Sequence, residues 1–82
     1  MNSKQIAKLI FNHYLKYSDN EGLHDFVTDE SVYFKYRLYN TPEPSILIHD
    51  ICINDVQIER ELYSEVAEIL DEMLFDYYII NN

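Results

Sequence analysis

Glu61, Glu65, Glu68, Glu72 and Asp76 recur every three or four residues near the end of the chain. Carboxylates in such a series support two kinds of chemistry. In a shielded pocket they exchange protons with a substrate, because burial or mutual repulsion lifts one pKa. In a row on an open surface they attract cations or a basic surface. The neighbouring residues favour the second kind. In a helix, at about 100° per residue, all five acids fall within a stripe about 80° wide. Leu62, Val66, Ile69, Leu70, Met73 and Tyr77 form an adjoining apolar stripe, with Tyr63 and Leu74 just beyond it. That stripe is the expected buried face, which leaves the acids on a convex exposed one.

The row is unfavourable for the helix that carries it. Like charges at these spacings cost about 0.2–0.5 kcal/mol per pair. Asp71, Glu72 and Asp76 sit toward the C-terminal end, where the helix dipole disfavours anions. Arg60 is the only cation of the segment. A helix shaped by stability alone would mix lysines into this face. The bland alternative is a solvated face of good helix formers, screened by salt. Phe75 falls on the acidic side. A large ring there is either covered by the N-terminal segment or exposed as a binding anchor.

Three other constellations are weaker. Tyr33, Lys35, Arg37 and Tyr39 would line one strand face, a basic-aromatic pattern suited to nucleic acid. Two cations are few, and the pattern also fits a solvent face or one docked against the acidic helix. His49, Asp50 and Cys52, with His13 and His24 elsewhere, raise a metal centre. On a regular strand His49 and Cys52 point to opposite faces and cannot chelate together without a bulge. Cys52 lies in an apolar stretch, where a thiol is ordinarily inert. One glycine leaves no room for a phosphate-cradling loop. The expectation is therefore a non-enzyme with no cofactor and no metal.

The formal net charge of the 82-residue chain is −9. That opposes direct binding to nucleic acid or to an anionic membrane and favours a basic partner. Residues 1–40 balance to zero, whereas residues 41–82 hold Arg60 against ten acids. A lone cysteine permits no internal disulfide and fits a reducing compartment. No apolar signal core follows the N-terminus, and no segment is long and apolar enough to span a bilayer. A cytoplasmic location is expected, that of the host cell if the chain is phage-encoded.

The elements that must position these residues form one domain, 1–82. Residues 3–17 carry Ile6, Leu9, Ile10, His13, Tyr14 and Tyr17 at helical spacing, with Asn2 and Gln5 in capping-box register. Residues 23–30 fit a helical turn or a short edge strand. Alternation predicts strands at 31–39 and 45–53, joined by the turn Asn40-Thr41-Pro42-Glu43-Pro44 and paired as an antiparallel hairpin. Asn54 is the expected cap of a helix over 55–78. The fold class is α+β, a two-layer domain of N-terminal helix, antiparallel hairpin (three strands if 23–29 joins) and long acidic helix.

Small size, strong negative charge, eight tyrosines and no catalytic motif form the general profile of phage or mobile-element proteins that block host nucleic-acid enzymes. In composition the chain resembles the anti-CRISPR and anti-restriction inhibitors, and no motif carries residue roles over. The resulting expectation is an acidic inhibitor that binds a basic protein surface through Glu61, Glu65, Glu68, Asp71, Glu72, Phe75 and Asp76, standing in for nucleic-acid phosphates. The second expectation is a small assembly module or homodimer that uses an apolar-tyrosine surface.

Overall fold

The computed structural model describes residues 1–81. Helix α1, Ser3–Tyr17, opens on the expected capping box. The Asn2 side chain accepts from the Gln5 amide at 2.9 Å, and the Gln5 side chain accepts from the Asn2 amide at 2.8 Å. Its buried residues are Ile6, Ala7, Ile10, His13 and Tyr14.

Four strands follow: β1 Gly22–Val27, β2 Val32–Tyr39, β3 Ser45–Ile53 and β4 Val56–Gln57. They pair antiparallel in chain order, so β1 lies at one edge and β4 at the other. The segment left open between helix and strand is thus an edge strand, entered through Gly22 at φ +124°. On β2 the alternation is strict. Val32, Phe34, Tyr36 and Leu38 are buried, while Tyr33, Lys35 and Arg37 are half-buried. On β3, Ile46, Ile48 and Ile51 join the core.

Helix α2 spans Arg60–Asn81. The expected helix over 55–78 is corrected at its start. Asn54 does not cap it; Asn54 and Asp55 form a two-residue hairpin loop with φ of +51° and +66°. A primed turn needs positive φ at both central positions, and Asn and Asp tolerate it best after glycine. The loop pairs Ile53 with Val56 and Cys52 with Gln57, which makes the fourth strand. At the far end no glycine or proline intervenes, and the helix runs past 78.

Both helices pack on one face of the sheet around a single apolar core, α1 against α2 and α2 against β3. The architecture is α+β, a helical layer on a four-stranded antiparallel sheet. No helix among the described residues is long and apolar enough to cross a membrane.

Candidate functional site

On α2 the fully buried positions are Val66, Leu70 and Leu74, spaced by four. Leu62, Tyr63, Ala67, Ile69 and Met73 are partly buried beside them. The buried face is therefore rotated toward Leu74 and away from Tyr77, which stays 40% exposed. Rings from α1 contact the margin of this face. Phe11 and Tyr14 meet Tyr77 edge-on, at centroid distances of 5.8 and 6.4 Å. The rotation turns the carboxylate stripe roughly 160° from the centre of the buried face.

Glu61, Glu65, Glu68, Glu72 and Asp76 are all exposed, so the structure brings these five together on one open face. The last turn of α2 carries no basic residue. At 1.5 Å per residue the row from Glu61 to Asp76 spans about 22 Å, or one carboxylate per roughly 5–6 Å. A single strand of B-DNA carries one phosphate per ~3.4 Å of axis and the duplex one per ~1.7 Å. The stripe carries a little over half the charge density of one strand and about a third of that of a duplex.

Asp71 and Phe75 stand apart from the row. They border a cavity of about 300 Å³ with Leu74, Tyr78 and the turn residues Glu43, Pro44 and Ser45. Burial there pushes the Asp71 carboxyl above the usual range. The segment beside Phe75 is this β2–β3 turn, not the N-terminal segment, and Phe75 remains 60% exposed.

A second cluster is visible only in three dimensions. His13 is buried, with its Nδ1 2.7 Å from the Tyr36 hydroxyl. Burial and nearby Tyr14 push the Tyr36 pKa up to about 12. Tyr36 therefore keeps its proton and shares a hydrogen bond with His13 whose direction follows the imidazole tautomer. The rings of Tyr17, His24, Phe26 and Phe34 surround His13 at centroid distances of 4.7–5.7 Å. His24 stacks on Tyr36 and holds the Asn20 carbonyl through Nε2. A cavity of about 260 Å³ opens beside His13, bordered by Tyr17, Phe26, Asp29 and Glu30. The sequence placed His13 on the apolar face of α1; its pairing with Tyr36 spans 23 residues and left no local signal.

Burial, with His24 and Lys16 nearby, lowers the His13 pKa below 6.5, and Asp25 opposes this weakly. The folded protein thus holds His13 neutral at pH values where the unfolded chain takes up a proton. Stability from this group is fully present above pH 6.5 and is lost as pH falls below 6.5 toward the lowered folded value. Thermal melts at pH 7.5 and 5.5 should show a lower Tm at 5.5. His13→Phe should flatten that dependence; an unchanged slope would assign it elsewhere.

The opposite sheet face is uncovered. Tyr33, Lys35, Arg37 and Tyr39 lie there, away from both helices, so the acidic helix does not dock on them. The register of β3 slips between its pairings with Lys35 and Tyr36, leaving His49 as an extra residue. This bulge changes the alternation. His49, Asp50 and Cys52 all project away from the core, since Ile48 and Ile51 on either side are buried. The opposite-face expectation for His49 and Cys52 is corrected by that one-residue slip. No group of three or more metal-ligating side chains converges among the described residues. The Cys52 thiol lies 3.8 Å from an Asp50 oxygen. Partial burial and the Asp50 carboxylate push its pKa up, the opposite of an activated nucleophile.

Compared with protein-family models, with curated proteins and with solved structures, the chain matches none.

Proposed function

We propose that this chain is a non-enzymatic binding protein that presents the carboxylate face of α2 to a basic surface on another protein. The carrying observation is the exposed row Glu61, Glu65, Glu68, Glu72 and Asp76, turned away from the core and unrelieved by any lysine on α2. A row of that linear density suits a groove that ordinarily holds one nucleic-acid strand. The carboxylates would then occupy phosphate positions, and the protein would act as a competitive inhibitor, the anti-defence role that its composition resembles. Asp71 and Phe75 flank the row and would add a charge and a ring at its edge.

Capture from a host lysate on the immobilised protein tests this reading. A cognate partner should be retained at low salt and elute as ionic strength shortens the Debye length from about 10 Å at 0.1 M to about 3 Å at 1 M. A captured partner whose release is indifferent to salt would instead favour an assembly module. That second reading has its own observation. Phe75 and Ile79, four residues apart, leave an exposed apolar strip at the end of α2.

A further inference from the structure

The two edges of the sheet are treated differently. At the β3 side, a short β4 pairs only with Cys52 and Ile53. Beyond it the Ile58 amide donates to the Ile51 carbonyl, the Tyr63 hydroxyl donates to the Ile48 carbonyl, and the bulge at His49 breaks the ladder. Short strands, bulges and side-chain caps are the usual guards against a further strand. The β1 edge has none of them. Its six residues pair with β2 in unbroken register from Gly22 opposite Leu38 to Val27 opposite Tyr33. It contains no lysine and no proline, and no described strand lies outside it. Leu23, Phe26 and Val27 are 50%, 46% and 61% exposed.

The rows across the sheet define what would fit beside β1. One row runs Asp50, Lys35, Asp25, alternating in sign toward the open edge. The next residue outward in that row should be a cation. The rows on either side run Leu47, Arg37, Leu23 and Cys52, Tyr33, Val27. They end in exposed apolar residues and call for apolar neighbours. The charge around the edge agrees. Residues 19–30 contain Asp19, Glu21, Asp25, Asp29 and Glu30 and no lysine or arginine. A second copy of β1 is disfavoured, because the antiparallel register that matches Leu23 with Val27 sets Asp25 directly against itself.

We infer that β1 is a docking edge for an extended basic peptide segment, added as a fifth antiparallel strand with a lysine or arginine opposite Asp25 and apolar residues two positions to either side. Main-chain ladder bonds supply the affinity and the alternate side chains the selectivity. This surface is separate from the carboxylate face of α2, and either can fail without the other.

The full chain and short peptides test it without any folding risk. The probe is the capped peptide Thr-Val-Thr-Lys-Thr-Val-Thr, titrated while the amide exchange of residues 22–27 is followed by NMR. Binding should protect β1 amides. Replacing the lysine by glutamate should weaken binding at least about tenfold. Proline in place of the two valines should abolish it, because their amides face the outward-turned groups of Leu23 and Val27 and proline cannot donate to the ladder. Glu65→Lys, Glu68→Lys and Glu72→Lys together should leave the lysine peptide's affinity unchanged. Absent binding, equal binding of the glutamate or proline peptide, or protection on α2 instead of β1 would overturn the inference. So would β1 protection that rises with protein concentration in the absence of peptide, which would mark the edge as a self-pairing surface.

Discussion

Tyr36→Ala should leave the chain largely unfolded at room temperature. Tyr36 is fully buried at the centre of the sheet and, through its hydroxyl, is the hydrogen-bond partner of His13. Truncating a buried aromatic costs about 3–5 kcal/mol. Leaving the His13 nitrogen without a partner adds about 1–3 kcal/mol. A domain of 82 residues has roughly 4–12 kcal/mol in total. Tyr36→Phe removes only the hydroxyl and should remain folded with a lowered Tm, whereas Tyr39→Ala, on the uncovered face, should change Tm little. Circular dichroism melts of the three variants decide the matter. A Tyr36→Ala protein that melts within a few degrees of the parent would show that this aromatic cluster is not the core.

Reversing Glu65, Glu68 and Glu72 to lysine should have the opposite consequence for the fold and the largest one for binding. Three like-charged pairs, Glu61 with Glu65, Glu68 with Asp71 and Glu72 with Asp76, become opposite-charged. Each such change is worth about 0.4–1 kcal/mol, so the variant should gain about 1 kcal/mol or more. For a domain of this size that raises Tm by about 4–8 °C. Its affinity for the basic partner should fall by about a hundredfold or more, since the contacts change from attraction to repulsion. A gain in stability with a loss of binding would show that the row is kept for recognition at the expense of the helix. A loss of stability would show that the carboxylates make structural contacts.

Much of the frame was legible in the chain because its signals are local. The Asn2–Gln5 capping box, the alternation of Val32 through Tyr39 and the uninterrupted apolar period after Arg60 depend only on near neighbours. The errors arose where one residue type serves two purposes. Asn54 caps helices and also fills primed turns, and a strand of two residues, Val56–Gln57, is too short to show a period. The edge strand Gly22–Val27 has little alternation in burial, because most of it is exposed on both faces. Its identity comes from pairing with β2.

The carboxylate row follows from helical spacing alone, whereas the roll of α2 on the core is a tertiary feature. In the fold Phe11 and Tyr14 meet Tyr77, which stays 40% exposed, while Leu74 is buried and the acids face outward. The His13–Tyr36 pair and the bulge at His49 were illegible for the same reason. Each is created by strands that meet only in the fold.

The most direct test of the central claim is competition on the captured partner. The partner is loaded with a fluorescent single-stranded oligonucleotide and titrated with this protein while anisotropy is followed. Mutual exclusion is the expected result: the oligonucleotide is released in proportion to protein bound, and the Glu65, Glu68 and Glu72 reversal variant releases none over the same range. A stable ternary complex that retains the oligonucleotide, or equal displacement by the reversal variant, would contradict the claim that the α2 carboxylates take the place of phosphates.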